Sequence, residues 1–275
     1  MLRCLAIVCA SSVFVWGCSR APKDVGPYDW NHQDQWSLPD NLREISGLAF
    51  TSDGRLFAHD DERAIVYQLD YADGAVKKRF ALGDPPVEDD FEAIATTATH
   101  VYLVASTGKI FEAREGGDGE SVPYQTYEAG TEEACEIEGA AYVPARDALA
   151  LTCKRLFDGR GKHTQIYYWS VAEHRVVEMK DVTLRPATEQ LGTDKFRISD
   201  ITWDQSRARF VAVAAEERAV IELDLDGRIL YASSLPRASH RQAEGIALDR
   251  DGKLLIADEG GKGQARLTIY PARPT

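Results

Sequence analysis

Long apolar runs, helical periodicity, basic blocks and asparagine are all scarce in this chain, and each scarcity removes a reading. No stretch approaches the roughly 18 apolar residues that a membrane-spanning helix needs. Apolar residues seldom recur at the three-to-four-residue spacing of an amphipathic helix. Lysine and arginine never form a block, and 32 of them stand against 44 aspartates and glutamates, for a formal net charge of −12. Such a field disfavours nucleic acid and anionic headgroups and favours cations, so no nucleic-acid partner is expected. There is no Gly-x-Ser-x-Gly nucleophile elbow and no His/Cys cluster with zinc spacing. Asparagine occurs only at Asn31 and Asn41.

The N-terminus carries an address. A basic start at Arg3, an apolar stretch of about a dozen residues and a small residue before Cys18 make a secretory signal. Val15-Trp16-Gly17-Cys18 resembles the bacterial lipobox, which implies cleavage after residue 17 and lipidation of Cys18. Ser19, where Asp commonly retains a lipoprotein at the inner membrane, points to the outer membrane. Each buried methylene adds about 0.8 kcal/mol, so several acyl chains anchor a protein durably. Residues 1–17 are therefore expected to be signal, 18–27 lipidated cysteine and tether, and 28–275 one domain, a monomer touching the membrane through its lipid only. Cys4 and Cys9 leave with the signal, and Cys135 and Cys153 remain. They flank one predicted hairpin in an oxidising compartment, so a disulfide between them is expected.

One pattern recurs five times: an acid, a short apolar strand, a turn and a second apolar strand. Its copies open at Glu44, Glu92, Glu138, Asp200 and Glu244, at spacings of 48, 46, 62 and 44 residues. A period of this size with short strands marks an all-β, five-bladed β-propeller. The long third interval holds two polar stretches, around 158–162 and 186–194, that read as loop insertions. Third strands follow in every copy, and fourth strands are visible at 76–82 and 228–233, with Asp73-Gly74 and Asp226-Gly227 as hairpin turns before them. The last copy ends after its third strand, so the segment from Tyr28 to Leu38 is expected to supply the outer strand and close the ring as an N-terminal strand.

The acids are the functional signal. In a propeller the first strand of each blade lines the central channel and the second returns antiparallel. Strand-one starts and strand-two ends therefore open on one face. The first set is Glu44, Glu92, Glu138, Asp200 and Glu244. The second contains Asp60, Asp61 and Glu62; Ser106 and Thr107; Cys153 and Lys154; Glu216 and Glu217; and Asp258 and Glu259. Two like charges about 6 Å apart repel by roughly 2–3 kcal/mol at an effective dielectric near 20. Such a ring must bind cations, hold protons or splay into water. Calcium, with six to eight oxygen ligands and tolerance of irregular geometry, is the natural guest. The expected ligands are Glu44, Glu92, Glu138, Asp200, Glu244, Asp60 and Asp258, with Lys154 as an internal counter-charge.

Glu-Ile-Ser-Gly-Leu at 44–48, Asp-Phe-Glu-Ala-Ile at 90–94 and Glu-Gly-Ile-Ala at 244–247 resemble the SdiA-regulated domain family of bacterial envelope propellers, distantly related to NHL-type propellers. The resemblance runs from about Leu42 to Tyr270. It implies a five-bladed propeller with a bound calcium ion and no established catalytic activity, serving as a binding module for an unidentified envelope ligand or protein. The first copy also resembles the phytase-like esterase domain, which supplies the alternative of a calcium-dependent hydrolase of esterase, lactonase or phosphatase type. Against it, lactonase-type propellers use Asn among their calcium ligands, and phytase-type propellers need a basic wall, for which only Lys154, Arg155 and Arg218 are at hand. His59 and His240 each lie next to a mouth acid, where a histidine more often just hydrogen-bonds the carboxylate than serves as a general base. Phe50, Tyr142 and Trp203 read as blade core, while Trp30, Trp36 and Trp169 read equally as packing or exposed contacts.

Overall fold

In the computed structural model, which describes residues 26–273, five antiparallel sheets stand around one axis. The expected signal segment 1–17, the lipidation site Cys18 and nearly all of the tether lie outside the described residues. The five inner strands are Ile45–Phe50, Phe91–Thr96, Cys135–Val143, Asp200–Asp204 and Ala243–Leu248, and each lies beside two of the others. Each pairs antiparallel with the strand that follows it, as Ile45–Phe50 does with Leu56–Asp60 and Ala243–Leu248 with Leu254–Asp258. The repeat thus becomes a five-bladed β-propeller.

Alternation explains the packing. Successive side chains on a strand face opposite sides, so both faces of each blade can be apolar and press against both neighbours. Five clusters result, one between each pair of adjacent blades. Phe57, Phe80, Phe91 and Phe111 fill the gap between blades one and two. Tyr102, Ile137, Leu149 and Trp169 fill the next, and Ile166, Phe196, Phe210 and Ile221 the one after. Val213, Ile246 and Tyr270 join blades four and five, and Leu48, Leu69, Leu255 and Leu267 join blades five and one.

Outer strands are more polar and more varied. Asp34–Ser37 pairs antiparallel with Arg266–Tyr270 as the fourth strand of the fifth sheet, and Tyr28 forms an isolated bridge with Ala272. Blade two takes Tyr124–Glu128 as its outer strand, and Ser121–Val122 runs parallel to Ala81–Leu82 on blade one. Of the two stretches read as loop insertions, the second holds a short helix, Arg185–Leu191. Pro186 sits in its first turn and Gly192, at φ 69°, ends it in the left-handed conformation that glycine adopts without strain.

Candidate functional site

Four of the five inner strands reach the axis through an irregularity of register, and the fourth in chain order, Asp200–Asp204, pairs without one. The pairing slips between Ile45 and Gly47, Phe91 and Ala93, Ile137 and Gly139, and Ala243 and Gly245. The residue skipped is a β-bulge, left without a ladder partner and re-aimed. The four bulged residues are Ser46, Glu92, Glu138 and Glu244, and Ser199 precedes the fourth inner strand at the corresponding place. Three glutamates thus share one structural position on three blades.

Just past their second strands stand Asp61 and Glu259, and Lys154 is itself skipped in the pairing within the second strand of blade three, Ala148–Leu156. Together with the bulge residues, Gln242 and the exposed Glu44 they enclose an axial cavity of about 190 Å³. Six carboxylates and one ammonium line it. Lys154 Nζ lies 2.8 Å from Glu138 Oε2. Ser46 Oγ donates to Glu92 Oε2 at 3.2 Å, and Gln242 donates to Glu259. Two buried carboxylate oxygens, Glu138 Oε1 and Asp61 Oδ1, have no partner, although Glu138 is only 1% exposed.

The electrostatics follow from burial and crowding. Burial, then the charge of Asp90, pushes Glu92 up to about 7. Burial and the neighbouring Glu92 hold Glu138 well above the carboxylate range despite Lys154. Burial, then Glu44, lifts Asp61 to about 6, and burial also raises Glu244 and Glu259. For Lys154, burial works against the charged form, but Glu138, Glu244 and Glu92 outweigh it and raise the ammonium.

Of the seven expected ligands, Glu44, Glu92, Glu138 and Glu244 line the mouth, while Asp60, Asp200 and Asp258 do not. Asp60 and Asp258 end their second strands, and alternation hands the axial direction to the next residues, Asp61 and Glu259. Asp60 instead accepts backbone N–H bonds from Glu62 and Arg63 at 3.2 and 2.9 Å. Asp258 lies 2.6 Å from His240 Nδ1 and accepts from the N–H groups of Arg241 and Gln242. Asp200 stands one residue beyond the bulge position, where the other inner strands carry Gly47, Ala93, Gly139 and Gly245. Space is short at this level: a Cβ on Gly139 would sit 3.1 Å from Asp200 Cα and 3.0 Å from Ile201 N. The single Asp200 carboxylate fills the axis there, accepting from the N–H of Ile201 at 2.7 Å and, on the neighbouring inner strand, of Ile246 at 2.8 Å.

Neither histidine reaches the mouth. His59 is fully buried against the Asp60 carbonyl, and burial depresses it to about 4. His240 is enclosed between Asp258 and Tyr270. Phe50, Tyr142 and Trp203 pack against the blade cores as read, but they are only half-buried and also line a separate cavity at the other end of the axis. Trp169 is fully buried, and Trp30 and Trp36 are half-buried.

A disulfide joins Cys135 and Cys153, with Cα atoms 5.7 Å apart. It brackets the hairpin that carries Glu138 and Lys154. The donors around the mouth are all oxygens, which suits a hard cation, and the unpartnered Glu138 Oε1 is open to one. Among the described residues, however, no three His, Cys, Asp or Glu side chains converge on a single metal position. Mutual repulsion and the Lys154 ammonium keep the carboxylates spread around the wall.

A family model described as SdiA-regulated matches residues 28–261. Among solved structures, the Myxococcus xanthus glutaminyl cyclase aligns with a TM-score of 0.59 at 14% identity, over 88% of this chain and 96% of that one. A luciferin-regenerating enzyme aligns at 0.54 and 7%, over 89% and 98% of the two chains. A streptogramin B lyase aligns at 0.53 and 10%, over 89% and 99%. At these identities the likeness is one of fold.

Proposed function

On the premise that this chain belongs to the SdiA-regulated family, we propose that it is a lipid-anchored envelope propeller whose acidic axial mouth binds a cation. The observation that carries the reading is the excess of carboxylate around the small axial cavity. Six acids face one lysine, and Glu138 keeps a buried oxygen without a partner. Repulsion of that size is relieved by protons or by a positive guest.

Calcium is the guest we favour. It accepts irregular oxygen shells completed by water, which suits carboxylates spread around a wall. Glu92, Glu138 and Glu244 would hold it, with Asp61 and Glu259 at the rim. Bound there, it would supply charge neutralisation to the carboxylates that Lys154 only partly offsets. The anchor is read from Cys18 and places the propeller at the outer membrane, in the periplasm or at the cell surface.

Calcium titration of the mature chain, followed by calorimetry and thermal melting, tests the site. Saturable binding and a raised Tm are expected, since a ligand for the native state alone must stabilise it. Glu92→Gln with Glu244→Gln should abolish both. A Tm indifferent to millimolar calcium would remove the calcium reading, and a Cys18→Ser chain that still pellets with membranes would remove the anchor. The alternative is a calcium-dependent hydrolase at the same mouth. There Glu92, holding its proton to about 7, would be the acid–base group in place of the enclosed histidines. Turnover of simple esters, lactones or phosphates that chelation abolishes would favour it.

A further inference from the structure

At the end of the axis opposite the acidic mouth, the inner strands open into a second cavity of about 600 Å³. Three residues beyond the crowded axial level each strand contributes one equivalent side chain to its wall: Phe50, Thr96, Tyr142, Trp203 and Leu248. Three of the five are aromatic. Their polar atoms are engaged elsewhere. Tyr142 donates its hydroxyl to Asp147 and Trp203 its indole N–H to Gln205, both at 2.9 Å, while Thr96 donates to the Phe50 carbonyl at 2.8 Å. At these five positions ring and aliphatic surface is what remains for an occupant.

Charge separates this cavity from the mouth. In a chain of net charge −12, no aspartate or glutamate among the described residues lines it. The one charged lining residue is Arg250, exposed at the rim, whose guanidinium donates to the Ser52 carbonyl and keeps further N–H groups free to donate outward. A concave, mainly apolar pocket within the roughly 300–1,000 Å³ range, with a few polar side chains (Thr51, Ser52, Thr97, Thr202 and Gln205) and one cationic group on its wall, has the form of a small-molecule site. We propose that this cavity binds a small apolar molecule, aromatic or acyl, bearing a single anionic group that pairs with Arg250. The site is independent of cation binding at the other face.

Two fluorescent probes of similar shape test it: anilinonaphthalene sulfonate, which is anionic, and phenylnaphthylamine, which is neutral. The mature chain should bind the anion saturably with one-to-one stoichiometry. Arg250→Gln, an exposed substitution that leaves the fold intact, should weaken the anion about tenfold, the worth of one charge-assisted hydrogen bond, and leave the neutral probe unchanged. Tyr142→Ala should weaken both probes, and Glu92→Gln at the far mouth neither. Equal affinity of Arg250→Gln and the parent for the anion would overturn the proposal. So would binding of several probes per chain, or probe affinity that follows Glu92→Gln.

Discussion

Lys154 is the residue on which the mouth balances. Its ammonium sits on a glutamate that is 1% exposed, and removing one partner of such a pair leaves the other uncompensated. Lys154→Met should therefore cost about 2–4 kcal/mol of stability by urea denaturation, allowing for partial exposure of the lysine. Glu138→Gln in the same background should recover most of it. A cycle with no coupling between the two positions would mean that the lysine merely lies alongside. Glu92, Glu138 and Glu244 were legible in the sequence because they recur at one place in the repeat. Asp61 and Glu259 were visible only as neighbours of Asp60 and Asp258. A strand's parity decides which of two adjacent acids faces the axis, and a bulge that flips parity leaves no mark in composition. Asp200 was misplaced for the same reason, one residue off the bulge.

At the scale of the element, the hairpin of Cys135–Val143 and Ala148–Leu156 carries both halves of that pair, and its disulfide spans 18 residues. A cross-link closing a loop of that size restricts the unfolded chain by about 3 kcal/mol. Replacing Cys135 and Cys153 by serine should lower the denaturation free energy by about that amount. The same replacement should weaken calcium more than Arg250→Gln does, since only the hairpin feeds the mouth. The first three strands of each blade could be read because their faces are buried and apolar. The outer strands could not all be read: Tyr124–Glu128 is largely exposed and Arg175–Thr183 alternates with solvent, so neither needs an apolar sequence. The helix at Arg185–Leu191 spans seven residues, too few to show a period, and only Pro186 and Gly192 mark its ends.

For the whole molecule, the mouth couples folding to protons. Glu92 releases its proton near 4.5 when unfolded but holds it to about 7 when folded. Between those values the folded chain carries more protons, so stability falls as pH rises through the window. Asp61, lifted to about 6, acts in the same direction. His59, which burial holds near 4, opposes this below its unfolded value of 6.5, so the metal-free chain should melt higher at pH 6.5 than at pH 8, and saturating calcium should shrink that difference by stabilising the ionised form. A melting temperature that rises between those two pH values without calcium would contradict the assignment. The five-fold plan was plain from the spacing of the repeat, whereas the second cavity was not, because Phe50, Tyr142 and Trp203 look the same in a sequence whether they cap a core or face an opening.

Asp200 makes the axis a pair of blind wells set back to back rather than a bore. Its carboxylate is stitched to Ile201 and, on the neighbouring inner strand, to Ile246, and among the described residues none is shared between the walls of the two wells. Whatever enters from one side must leave by the door it came in. Traffic through the disc is barred, and any conversation between the two occupants has to travel along the five inner strands themselves.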